Sequence, residues 1–187
     1  MAPPSSDTES IKRLIQHFFD TINAADTKAL QATFLPEGNI TIIRQDPPSN
    51  PPPISVNNIP SSTISNPKPP QTVTVVARLP IESFVKLLDD AERRRREQPP
   101  GHGHQPKLFE KPDLEKTEVE VEGLVGCAWS PFEVTFDGVM HHYGTMVFTV
   151  VKHLERGKGE VEGEGEGLEG WRVSGVSQSY RRTEGWD

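Results

Sequence analysis

A single cysteine, Cys127, stands in the 187 residues, which rules out an internal disulfide and any cysteine-cluster zinc site and fits a reducing compartment. Long apolar runs are also missing: none approaches the ~18 to 20 residues needed to span a bilayer. Basic residues are outnumbered, 20 Lys and Arg against 27 Asp and Glu, for a net charge of −7. That balance opposes a broad phosphate-binding surface, so nucleic acid is not an expected partner. Met1 to Ser10 carry Pro, Ser, Asp and Glu, without the basic and apolar regions of a secretory leader. The expectation is a soluble, cytoplasmic protein with no membrane partner.

Proline and glycine are plentiful, 18 and 15 residues, and they cluster in three tracts. Asp46 to Gln71 is rich in Pro, Ser and Asn, Pro99 to Pro112 in Pro, Gly and His, and Arg156 to Gly170 alternates Gly with Glu. Such tracts lack the apolar mass to offset ordering entropy, so flexible insertions are expected at 46–71, 99–112 and 156–170. What is left has an ordinary globular composition and suits one core. The expected organisation is a disordered segment over 1–9, one domain over 10–182 and a tail over 183–187.

Ile11, Leu14, Ile15, Phe18 and Ile22 recur at the spacing of one helical face, behind Asp7 or Ser10 as a cap. Asp26 can cap a short second helix that carries Ala29, Leu30 and Phe34 and stops before Pro36. Ile40 to Ile43 reads as a β-branched strand, and Val73 to Ala77 as another. Pro80 opens a third helix with Phe84, Leu87, Leu88 and Ala91 facing inward. Its tail, Arg93 to Arg96, reads as a solvated helix end, where cations belong.

Glu118 to Glu122 alternates Glu with Val, as a half-buried strand does. The strongest local signal follows: β-rich runs Cys127–Phe136 and Val139–His153 flank Asp137-Gly138, a dipeptide suited to a type I′ turn. With Asp137 and Gly138 as the two turn residues, Phe136 faces Val139, Glu133 faces His142, Trp129 faces Met146 and Cys127 faces Phe148. One face then holds Met140, Glu133, His142, Trp129, Met146, Cys127 and Phe148. The other holds Phe132, Val134, Phe136, His141, Tyr143, Thr145 and Val147. Trp171 to Tyr180 forms the last strand. The order of elements predicts an α+β architecture, with helices against one face of a curved antiparallel sheet.

Trp129-Ser130-Pro131-Phe132-Glu133, then Asp137-Gly138, His142-Tyr143-Gly144, Phe148-Thr149-Val150-Val151 and Gly170-Trp171-Arg172-Val173 resemble the C-terminal half of the nuclear transport factor 2-like (NTF2-like) superfamily. The resemblance is nearest to its SnoaL-like branch and covers about 120 residues outside the three tracts. It implies a cone whose three helices and bent sheet enclose a pocket, often in a homodimer, with Phe148 packed under the helices. Activity does not follow from the fold, since the superfamily ranges over isomerases, dehydratases, polyketide cyclases and binding proteins.

On that reading the stripe with His142 lines the concave side, where Trp129, Met146, Met140, Phe148 and Phe18 would contact a hydrophobic small molecule. Glu133 opposite His142 suits a general base acting α to a carbonyl, because a carboxylate fixes an imidazole's tautomer and raises its basicity. A cross-strand ion pair near the end of the sheet is the other reading of the two residues. The acid/base set is incomplete. Steroid-isomerase-like members use Tyr and carboxylates, yet the first helix offers Phe18 and Ile22. Scytalone-dehydratase-like members use histidines with Tyr and Asp, and His142 alone has a counterpart. His102-Gly103-His104 lacks a rigid carboxylate partner, so neither a metal nor another cofactor is expected. The second face, with Phe132 and Val134, is too apolar to leave wet and is the expected homodimer surface. Two functions stay open: a small-molecule-binding domain, and an isomerase, cyclase or dehydratase acting on a hydrophobic carbonyl substrate with His142 as general acid/base.

Overall fold

A computed structural model describes residues 6–46, 72–97, 106–153 and 170–183. The expectations for 1–5, 47–71, 98–105, 154–169 and 184–187 fall outside the described residues, and His102 and His104 are among them.

Helix α1, Ser6–Ala24, buries Ile11, Leu14, Ile15 and Phe18 as the periodicity predicts, and Phe19 with them. It starts earlier than expected, so residues 6–9 are helical. Its first turn is tied down: Lys152 Nζ donates to Asp7 Oδ1 at 2.7 Å and Trp171 Nε1 to the same oxygen at 3.1 Å. These two donors hold the Asp7 carboxyl below its usual range. Helix α2, Thr27–Ala32, is capped by Asp26, whose side chain accepts from the Ala29 amide at 2.9 Å. Phe34 is not helical. It opens strand β1, Phe34–Asp46, which runs well beyond the predicted Ile40–Ile43.

Strand β2, Thr72–Pro80, ends at the proline expected to open the third helix, and α3, Ile81–Glu97, follows at once. In α3 the buried residues are Ile81 and Val85, with Phe84 and Leu88 packed beside the core. Leu87 and Ala91, expected inside, are exposed. Strand β3, Leu108–Pro112, lies within the stretch read as a loop. Strands β4, Glu118–Glu122, β5, Val125–Phe136, β6, Val139–Lys152, and β7, Trp171–Arg182, complete one sheet.

The sheet order is β2-β1-β7-β6-β5-β3, with β4 also paired to β5. Most pairs are antiparallel, but β1 and β7 run parallel, so the sheet is mixed rather than antiparallel throughout. Between helices and sheet the core is aromatic. Phe18 meets Phe148 edge-on at 5.3 Å and Phe19 at 5.4 Å, and Phe19 lies 6.4 Å from Phe132. Offset and edge-to-face contacts of this kind add to simple area burial. This is the predicted α+β arrangement of helices on one face of a curved sheet.

Candidate functional site

The turn is as expected: Asp137 (φ 49°) and Gly138 (φ 80°) take the positive dihedrals of a type I′ turn, and Phe136 faces Val139. Beyond the next pair, Thr135 with Met140, the register slips. Val134 stands opposite His142 and His141 is the extra residue of a β-bulge. One extra residue turns a strand over relative to its partner. The β6 half of the predicted stripe therefore holds, with His142, Met146 and Phe148 facing inward, while the β5 half is reversed.

Glu133 pairs with Tyr143, not His142, and is exposed. It lines a polar surface groove of about 490 Å³ with Gln16, Lys111, Asp113 and Glu115. Trp129 pairs with Val147, is 37% exposed and borders an outer-face groove of about 410 Å³ with Lys116, Glu118 and Glu120. Cys127 shares that face, opposite Thr149, and Met140 stands opposite Thr135. Phe132 and Val134, proposed above as dimer surface, are 2% and 0% exposed and belong to the core. Phe18, Met146 and Phe148 are core as well, packed by other side chains.

At the open end of the sheet the register assembles a different set. Glu110 of β3 stands opposite Val134, Val134 opposite His142, and His142 opposite Arg182 of β7. The alternation Leu108 in, Phe109 out, Glu110 in, Lys111 out turns the Glu110 side chain to the concave face. Strand spacing puts the Glu110 and His142 backbones about 10 Å apart across Val134. Asn23 of α1 clamps Glu110 by its backbone, donating to its carbonyl at 2.7 Å and accepting from its amide at 2.8 Å. No donor among the described residues bonds the carboxyl itself, and burial pushes its pKa up to about 7.

His142 is half-buried, with Tyr180 at 4.6 Å and Phe132 at 6.0 Å between ring centroids. Burial first, then the charges of His141 and Arg182, lower its pKa to about 4. Tyr180 approaches because the residue opposite it is Gly144. A Cβ there would collide with the Ser179 carbonyl and lie 2.8 Å from Tyr180 Cα. The open end thus carries an imidazole held uncharged at neutral pH and a carboxyl whose pKa burial raises toward neutrality. Among the described residues no group of three or more His, Cys, Asp or Glu is placed to hold a metal.

No family model matches the chain, and no curated protein matches it in sequence. Solved structures do match in shape. An NTF2-like protein with a cystatin-like fold from Novosphingobium aromaticivorans aligns over 96% of this chain and 83% of its own, at 14% identity and a TM-score of 0.54. The chain has an NTF2-like fold. An NTF2-like protein from Cytophaga hutchinsonii aligns over 94% of this chain and 98% of its own, at 8% identity and 0.52. The beta subunit of benzoate 1,2-dioxygenase from Burkholderia mallei covers 96% and 93%, at 6% and 0.53. At such identities the likeness speaks for the NTF2-like fold alone, and what the open end does must come from its own residues. No helix among the described residues is long and apolar enough to cross a membrane.

Glu110 escaped the sequence reading because β3 is short, ends in a proline and borders a Pro/Gly tract, all of which read as loop. The signal that could have found it is the alternation of Leu108, Glu110 and Pro112 with Phe109 and Lys111.

Proposed function

We propose that this NTF2-like domain binds a small hydrophobic molecule at the open end of its sheet, with Glu110 and His142 as the polar groups of the site. The observation that carries this is the Glu110 carboxyl. It is partly buried on the concave face beside Leu108 of the same strand, with no hydrogen bond to its carboxyl among the described residues, one row from an uncharged imidazole. A carboxyl in that setting costs stability unless it serves a ligand. Binding of an anilinonaphthalene dye tests the reading. Glu110→Gln and His142→Ala should each weaken the dye by about tenfold, or ~1.4 kcal/mol, while Trp129→Ala on the outer face changes nothing. Equal binding by parent and both site variants would refute it.

The same carboxyl favours a second reading, acid–base catalysis on a carbonyl compound, since an efficient base titrates near the working pH. Deuterium exchange α to the carbonyl of an aromatic ketone would then rise as pH passes 7, while Glu110→Gln would abolish it. Stability offers a check that needs no ligand. Glu110 has its pKa raised from 4.5 to about 7, so its contribution is present below 4.5 and lost as pH rises through 7. His142 is lowered from 6.5 to about 4, so its contribution is present above 6.5 and lost as pH falls through 4. Between 4.5 and 6.5 the two slopes oppose. Urea unfolding of Glu110→Gln should therefore lose stability on acidification relative to the parent, by at most about 1.4 kcal/mol per pH unit. His142→Gln should show the opposite trend.

The homodimer reading moves to the outer face. Trp129 and Tyr143 (47% exposed) lie there, between Glu118, Glu120 and Glu133 on one side and Arg181 on the other. Opposite charges flanking an apolar centre suit a two-fold contact with a second copy. Trp129→Glu should convert dimer to monomer in light scattering, without the loss of fold that Phe132→Glu would bring. A parent chain that scatters as monomer at tens of micromolar would end the idea.

A further inference from the structure

His141 and His142 occupy the bulge, where two residues of β6 share the space opposite Val134. Their Nδ1 atoms are 2.7 Å apart, a hydrogen bond between imidazoles. The rings meet at 78° with centroids 4.9 Å apart. Phe136 packs on His141 at 4.7 Å and Tyr180 on His142 at 4.6 Å, so neighbouring rings hold both in place.

A bridge of this length contains one proton: one Nδ1 donates and the other accepts. A neutral imidazole has a single N–H, so the donor ring has a bare Nε2 and the acceptor ring a protonated one. The two tautomers are necessarily opposite. We infer that His141 and His142 form a one-proton dyad in which His141 is a positioning residue, setting the tautomer of His142 and hence whether its Nε2 donates to or accepts from a ligand. The dyad stands on this geometry, and its bearing on a ligand rests on the binding site proposed above.

Such a bridge also allows a proton to cross it with the charge unchanged. A proton joins Nε2 of the donor ring, the bridging proton passes between the Nδ1 atoms, and the proton on the partner's Nε2 leaves. One N–H bond forms and one breaks on each ring. A second resident proton is opposed by the Arg182 guanidinium of β7 and by the charge of the first, and the acid nearest the pair among the described residues, Glu110 of β3, lies across Val134. Burial and Arg182 lower the pKa of His141 too, in keeping with a neutral pair.

Long-range proton–nitrogen NMR on histidine-labelled protein near neutral pH tests the dyad directly. Two rings of opposite tautomer, one protonated at Nδ1 and the other at Nε2, are expected in the parent. His141→Ala should change the His142 tautomer ratio and shift its titration midpoint upward, since a neighbouring imidazolium no longer opposes its charge. His141→Asn, which keeps a polar group near Nδ1, should restore the parent pattern in part. Two rings protonated at Nε2 in the parent would overturn the inference, whether or not any variant folds. So would a His142 spectrum indifferent to His141→Ala. Dye binding by the Glu110 and His142 variants is read separately, so the dyad and the binding site stand or fall on different measurements.

Discussion

Phe148→Ala should cost about 3 to 5 kcal/mol in urea or thermal unfolding, the range for removing a fully buried aromatic side chain. Phe148 is 0% exposed and meets the Phe18 ring edge-on at 5.3 Å. Truncation leaves the α1 side of that contact facing a void, and native domains hold only about 5 to 15 kcal/mol in all. The result separates two meanings of the same residue. A ligand-contacting Phe148 would lose dye binding at little cost in stability, whereas a core Phe148 loses stability first. A cost below about 1 kcal/mol would show that the aromatic cluster is a ligand cavity after all.

Gly144→Ala should be nearly as damaging, at about 3 kcal/mol, the upper part of the range for forcing atoms into packed structure. The obstruction is backbone, the Ser179 carbonyl and Tyr180 Cα of β7, rather than a side chain that can swing aside. Strands β6 and β7 must part locally, and Tyr180 moves with them, away from the His142 ring. Thermal unfolding measures the first consequence, and the chemical shift of His142 reports the second. Full stability with an unmoved His142 resonance would mean that the close approach of the strands is not needed.

Where one periodicity decided the outcome, the sequence was a good guide. Ile11, Leu14, Ile15 and Phe18 fall on the buried face of α1, the Asp137-Gly138 turn forms, and Val119 and Val121 of β4 pack against the core. The hairpin faces failed for a single physical reason. A bulge leaves no mark in a run of β-formers such as Met140-His141-His142-Tyr143, because either histidine can be the extra residue. One slip carried Glu133, Trp129 and Cys127 out and brought Phe132 and Val134 in. Glu110 was lost to a different cause: five strand residues beside a Pro/Gly tract hold too little pattern to outweigh their prolines. The glycine of His142-Tyr143-Gly144 was legible as a motif, but the reason for it, the backbone of the next strand at Ser179 and Tyr180, was not.

The ties that hold α1 set an order of events for a chain leaving the ribosome. Lys12 reaches the Leu114 carbonyl, 102 residues on, and Asp7 waits for Lys152 and Trp171, 145 and 164 residues on. At roughly 5 to 20 residues per second, the first helix is made about 8 to 33 s before the indole that fastens its opening turn. Until β3 and β4 are made, part-way through that interval, the face bearing Ile11, Leu14, Ile15, Phe18 and Phe19 lacks the strands it packs on. The earliest element of this protein is therefore the last to be secured, and its apolar stripe is the segment a chaperone would meet on the nascent chain.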